Sequence, residues 1–264
     1  MKISIFSQSL FALPLMEAID AAPKAGFSAI ELSCMKPHFD IGQDDPDKVS
    51  EHIRSVGLDV SALSLFNSFT DRSHLEDQIQ KARTYILLAP VFRTKIIKMT
   101  PGPPASAAAT EEHWNCLRIA IERLSPVAEE MGVRLAFETH MRQLTDTLAG
   151  SMRLLELVKS DAIGFTVDFS NIAFAGDDLA EAIDSLSPRM YNTHVKNGVI
   201  KEDGSWQFNP LNEGLTDYSL VIPMLKGYDG YLTIECLGPD ASKNPIKTAK
   251  RDLDILKKFL SIKN

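Results

Sequence analysis

The 264-residue chain is poor in several features that would place it quickly. It has three cysteines, Cys34, Cys116 and Cys236, odd in number, far apart and with no CxxC pair. That excludes a disulfide framework and a zinc knuckle and fits a reducing compartment. No window approaches the roughly 20 consecutive apolar residues of a membrane span. Met1 to Phe6 enters a strand-like run at once, without the apolar core of a signal peptide. The expected location is therefore cytoplasmic. Positive charge is also short. The formal net charge is −7, which argues against a nucleic-acid surface. The glycine-rich dinucleotide fingerprint is missing, which argues against an open doubly wound nucleotide-binding sheet.

What the chain does have is alternation. Apolar strand-like runs at Lys2–Phe6, Ala29–Ser33, Asp59–Phe66, Thr94–Thr100 and Arg134–Glu138 continue at Ile163–Asp168, Met190–His194 and Tyr231–Glu235. Between them lie stretches with helical spacing: Pro14–Ala25, Pro46–Val56, Leu75–Leu88, Glu111–Met131, Leu148–Val158, Leu179–Leu186, Tyr218–Leu225 and Ile246–Leu260. Gly26, Gly57 and Gly132 close three of these as C-caps would, and Asp45 opens one as an N-cap. Eight strands alternating with about eight helices, with no linker or shift in composition, predict an α/β fold. The expected architecture is a single (β/α)8 TIM barrel, one domain over residues 1–264. Two longer connections stand out. Pro101–Thr110 is biased in composition and reads as a rim loop or a disordered connection. Gly198–Asp217 reads as a loop whose Trp206 and Phe208 stack on a ligand or pack the loop down.

Four successive strands end on residues that bind metals. Arg134–Glu138 ends in Glu138, Ile163–Asp168 in Asp168, Met190–His194 in His194, and Tyr231–Glu235 in Glu235. In a barrel such ends share one rim, where active sites sit. Two Glu, one Asp and one His form a hard, oxygen-rich site for one divalent ion. Mn²⁺ suits it best, with Mg²⁺, Co²⁺ or Zn²⁺ as alternatives. Four ligands leave two octahedral positions for adjacent oxygens of a substrate. A carbonyl held there acidifies the neighbouring C–H, and two carboxylates can take and return the proton.

The sequence resembles the xylose-isomerase-like barrels, the superfamily of sugar isomerases, epimerases and inosose dehydratases, whose relatives include endonucleases acting on abasic DNA. The resemblance covers nearly the whole chain. It is carried by Ala29-Ile30-Glu31-Leu32-Ser33, Phe137-Glu138-Thr139-His140, Leu144-Thr145-Asp146-Thr147, Val167-Asp168-Phe169-Ser170-Asn171, His194-Val195-Lys196-Asn197 and Ile234-Glu235. It implies a metal-dependent sugar isomerase or epimerase in which Glu138 and Glu235 both bind metal and shuttle the proton, with Asp168 and His194 as further ligands. The family often has a substrate-touching histidine three residues after that aspartate. Here Asn171 stands there, able to bond a sugar hydroxyl but not to act as an acid or base near neutral pH. Glu138-x-His140 resembles the large subunit of C-glycoside deglycosidases, a lyase branch that eliminates the aglycone from a 3-oxo glycoside. On that reading His140 is a general acid or base, and a small partner subunit is implied; otherwise the resemblance implies a homo-oligomer.

The remaining candidates are open between two roles. Glu31 accepts a hydrogen bond near the metal or substrate, or forms a salt bridge in the barrel mouth. His38 binds a substrate hydroxyl or sits on a surface loop. Lys196 and Arg142 hold a phosphate or carboxylate, or pair with ligand carboxylates. His52, His74 and His113 fall on helices or their starts, away from the rim. The expected partner is a small sugar or sugar derivative, with no nucleic acid and no membrane. An abasic-site endonuclease needs more rim histidines than this chain supplies, and a non-catalytic barrel would not need the ligand quartet.

Overall fold

The computed structural model describes residues 1–157 and 159–261. Its centre is a closed barrel of eight parallel strands: β1 (Lys2–Phe6), β2 (Ala29–Ser33), β3 (Asp59–Ser64), β4 (Ile96–Met99), β5 (Arg134–Glu138), β6 (Ile163–Asp168), β7 (Met190–Val195) and, after two short strands, β10 (Tyr231–Ile234). β1 closes the ring by pairing with both β2 and β10. The two short strands, β8 (Asn197–Ile200) and β9 (Trp206–Asn209), form a separate antiparallel hairpin. The long loop expected after the seventh strand is thus half hairpin.

Helices surround the strands: α1 (Leu15–Ala25), α2 (Pro46–Ser55), α3 (Leu75–Leu88), α4 (Glu111–Met131), α5 (Leu148–Leu157), α6 (Phe169–Ala175), α7 (Leu179–Leu186), α8 (Tyr218–Met224), α9 (Pro239–Lys243) and α10 (Pro245–Ser261). The expected end of the fifth helix, Val158, lies outside the described residues. Local chemistry sets the ends. Asp45 caps α2 by accepting from the Asp47 and Lys48 amides. α1 and α4 stop at Gly26 and Gly132, whose φ values of 101° and 63° lie in the left-handed region. α6 and α9 went unread in the sequence. α6 starts directly on Asp168 with no turn before it, and α9 is a single short turn.

The apolar core lies between strands and helices, where Leu32, Leu63, Ile97, Leu135, Ile163 and Val195 meet helix residues such as Ile19, Ile86, Leu117, Leu186 and Leu256. Side chains alternate along a strand, with one register shift at Ser61 of β3, opposite Ile30 and Glu31. The other set of strand positions therefore points into the barrel. It is polar: Ser4, Glu31, Ser61, Lys98, Thr166, Asn192, His194 and Thr233 are all buried. Ser4 and Ser61 hydroxyls bond across the interior at 2.8 Å. The Pro101–Thr110 stretch is docked, not loose. The Ser106 amide and hydroxyl donate to Asp146, Gly102 N donates to Gln143 Oε1, and Leu144 N donates to Gly102 O.

Candidate active site

Glu138, Asp168, His194 and Glu235 come from the C-terminal ends of β5, β6 and β7 and from the residue after β10. All four are buried, and each offers one ligand atom such that the four atoms lie within 4.8 Å of one another. Register produces this meeting. Asp168 pairs with His194 across β6–β7, and Glu235 N donates to Val195 O, which carries the sheet pattern past the end of β10.

Each of the four side chains is held from behind. Asp168 Oδ1 caps α6, accepting from the Ser170 and Asn171 amides at 3.0 and 2.9 Å, so Oδ2 is left facing the centre. His194 Nε2 donates to Glu31 Oε1 at 2.9 Å, which fixes the ring and turns Nδ1 inward. Asn192 Nδ2 donates to the other Glu31 oxygen at 2.7 Å. Nδ1 then lies 3.3 Å from Glu138 Oε1 and 3.9 Å from Glu235 Oε2. The Phe6 ring tilts against the imidazole with centroids 5.1 Å apart. Lys196 Nζ lies 2.8 Å from Asp168 Oδ2 and 2.7 Å from Glu235 Oε2, donating to the latter. Lys98 Nζ lies 2.5 Å from Glu138 Oε2.

The electrostatics follow from burial and neighbours. Burial pushes the Glu138 carboxyl up, but Lys98, with His140 and His194, holds it well below the usual carboxylate range. Glu235 is likewise held down against burial by Lys196 and His194. Asp168 is pushed up by burial, with the Glu235 and Glu138 charges adding to it against Lys196. His194 is pushed up to about 10: burial opposes its charge, and Glu31 and Glu138 overcome that. Lys196 is raised by Asp168 and Glu235 against burial.

This donor set fits a divalent ion. His194 Nδ1 and Asp168 Oδ2 are buried without a hydrogen-bond partner; the Lys196 contact to Oδ2 is one of charge, out of hydrogen-bond alignment. Atoms left so are costly unless something binds them. Glu31, Glu138, Asp168 and Glu235 also outnumber the buried ammoniums of Lys98 and Lys196 by two. One divalent cation, displacing the proton that His194 otherwise holds, would balance that excess.

The other candidates take varied places. His140 lies two residues past β5, half-buried, donating from Nδ1 to Met141 O at 2.8 Å. It is close enough to depress Glu138. Asn171 is buried and donates to Thr139 O at 2.9 Å, while its Oδ1 has no partner. Both Glu31 oxygens are taken by His194 and Asn192, so it supports the site from beneath and offers no free oxygen to a substrate. His38 is buried, not on a surface loop as its sequence context suggested. It packs edge-on against Phe11 and donates to Leu13 O at 3.3 Å, with no contact to the quartet. Arg142 is exposed at φ 60°, its guanidinium 4.4 Å above the Trp206 ring. Phe208 packs against Phe174 with centroids 6.3 Å apart. The reading of the sequence missed Lys98, Asn192, Phe6 and Phe66. For Lys98 the signal was present: a lysine inside Ile96-Ile97-Lys98-Met99 faces away from the apolar side.

The model of the xylose isomerase-like TIM barrel matches residues 19–259. The chain belongs to the xylose isomerase-like TIM-barrel family. Within this family, the 3-dehydroshikimate dehydratase of Bacillus anthracis is 24% identical over 204 residues, 72% of this chain and 72% of that protein. The inosose dehydratase of Lacticaseibacillus casei is 24% identical over 172 residues, 55% of each chain. Among solved structures, the IolI protein with a bound zinc atom has a TM-score of 0.83 at 19% identity, covering 98% of this chain and 99% of that one. L-ribulose 3-epimerase has a TM-score of 0.81 at 19% identity, covering 99% and 95%. No helix among the described residues is long and apolar enough to cross a membrane.

Proposed function

We propose that this xylose isomerase-like barrel is a divalent-metal-dependent enzyme that removes the proton beside a carbonyl of a small polyhydroxylated ketone. The observation that carries the reading is the convergence of Glu138, Asp168, His194 and Glu235 on one buried point, two of their atoms without hydrogen-bond partners. A bound ion would polarise the substrate carbonyl and acidify the neighbouring C–H. Mn²⁺ is the expected ion; Zn²⁺, as in IolI, is an alternative.

The chain supplies the proton path. Glu138 and Glu235 both favour the ionised form, and they stand on strands separated by β6 and β7 with His194 Nδ1 between them. One takes the proton from carbon and the other returns it to the opposite face, which gives epimerisation or isomerisation. Asn171 Oδ1 accepts a substrate hydroxyl. Arg142 is occupied by Trp206, so Lys196 is the cation best placed for a substrate oxygen.

The second reading is elimination, favoured by His140 beside Glu138 and by the dehydratases among the relatives. Glu138 takes the carbon-bound proton, the C–O bond at the next carbon breaks, and His140 gives the departing hydroxide a proton. The products are an unsaturated ketone and water. Loss of an aglycone from a 3-oxo glycoside is the same step with another leaving group, and on that reading a small partner subunit joins the enzyme.

Keto-sugars and cyclic hydroxyketones incubated with the Mn²⁺-loaded protein in D₂O, followed by NMR, test both readings. Deuterium at the carbon beside the carbonyl of the epimer marks the first, and loss of water the second. Glu138→Gln or Glu235→Gln lowers exchange by roughly 10²–10⁴-fold with the fold retained. Wild-type exchange in either variant removes that glutamate from the proton path.

A further inference from the structure

Lys98 is neither one of the four converging residues nor a group on the proposed proton path, and its surroundings are unusual. It stands on β4, fully buried, within the polar lining of the barrel. Its ammonium lies 2.5 Å from Glu138 Oε2 and makes no hydrogen bond in good alignment. Two aromatic rings flank it: the Phe66 ring centroid is 4.6 Å away and that of Phe6 5.6 Å. Phe6 and Phe66 are themselves stacked, and Phe6 lies against the His194 ring. A buried charge with so few partners is expensive. Its aromatic cage recovers part of that cost through the ring quadrupoles.

The geometry restricts what this ammonium can do. Flanked by two rings, it lies against the outer oxygen of Glu138. Glu138 is thereby split: Oε2 faces Lys98 and Oε1 faces His194 Nδ1 at 3.3 Å. Phe6 touches both sides of this arrangement, since it borders the ammonium and the imidazole. We propose that Lys98 is a positioning residue that clamps Glu138, so that one carboxylate oxygen is always presented to the cation centre and to the substrate carbon. This rests on the metal-dependent reading above and extends it from the ligands to the charge that aims one of them.

The test is divalent-ion affinity, measured by calorimetry with Mn²⁺ and by the visible spectrum of bound Co²⁺, on the full chain. Lys98→Met keeps the bulk and removes the charge; Lys98→Gln is the second variant should the first not fold. Loss of the clamp lets Glu138 turn away, so Mn²⁺ binding weakens about tenfold and the Co²⁺ spectrum changes. A lysine acting only as a nearby positive charge gives the opposite sign, because removing it tightens cation binding. The pair is then tested in the Glu138→Gln background, where Lys98→Met should cause no further loss. Unchanged or tighter binding in both Lys98 variants, or additive losses in the double variant, overturns the proposal. If wild-type protein binds no divalent ion, it is the metal-dependent reading that fails, so the two failures are distinguishable.

Discussion

Of the buried titratable side chains outside the Glu138, Asp168, His194 and Glu235 quartet, His38 carries a clear pH consequence. It is buried against Phe11, and burial lowers it from 6.5 to about 4, the bonds to the Leu13 and Leu10 carbonyls only partly opposing this. The unfolded chain therefore binds this proton first as pH falls. The stability His38 contributes is complete above pH 6.5 and is lost as pH drops through about 4, up to about 3 kcal/mol. Urea midpoints at pH 7 and pH 4.5 should differ less in His38→Gln than in the wild type; an equal difference would remove His38 as a cause. Single residues were unequally legible in the sequence. Glu138, Asp168, His194 and Glu235 could be read because each ends an apolar run, a place where a charge is conspicuous. Lys98 was harder to read: its place inside an apolar run marks it as facing away from the apolar side, but only closure of the barrel shows that this side is the interior rather than solvent. His38 hid for the opposite reason: the loop that carries it folds back onto Phe11 and Leu13, a tertiary contact without local pattern.

Among the elements, the hairpin of β8 and β9 was the main one missed. Its strands are four residues each, and their alternation is too brief to register. The clue was Asp203-Gly204 between them, a turn pair whose glycine has a φ of 76°. The hairpin is tied to the β5 side of the rim by Arg142 on Trp206, and Phe208 faces Lys196 Nζ at 5.9 Å. Such a cation–π contact near the surface is worth about 0.5–1 kcal/mol. Trp206→Ala should therefore leave the melting temperature nearly unchanged while amide exchange within Asn197–Asn209 accelerates several-fold. Exchange at the wild-type rate would show that the Asn197 side chain, bonded to the Leu211 and Thr216 carbonyls, holds the hairpin without help from the ring. The barrel itself was readable as a count of alternating runs. Strand ends shifted by one to two residues, as at the end of β3 and both ends of β4, where Leu65 and Lys95 still bond to the neighbouring strands but the regular ladder has ended.

At the scale of the molecule, the barrel gathers an uncompensated charge at one end. Glu31, Glu138, Asp168 and Glu235 enter a buried centre with Lys98 and Lys196 as counter-charges. Closure by β1 and β10 therefore works against carboxylate repulsion, and a divalent cation bound only by the folded barrel would relieve it. Linkage then fixes the size of the effect. At a free-ion concentration 100 times the dissociation constant, the folded state gains about 2.7 kcal/mol. For a chain of this length that is a rise in melting temperature of about 5 °C. Protein stripped with a chelator and titrated with Mn²⁺, Co²⁺, Mg²⁺ or Zn²⁺ should show that rise. Asp168→Asn should lose most of it, because Oδ2 is the oxygen left free by the α6 cap. A melting temperature indifferent to all four ions would mean that the strand ends meet for packing alone, with the excess charge removed by protonation of Asp168 and His194, the two groups that burial and their neighbours already push upward.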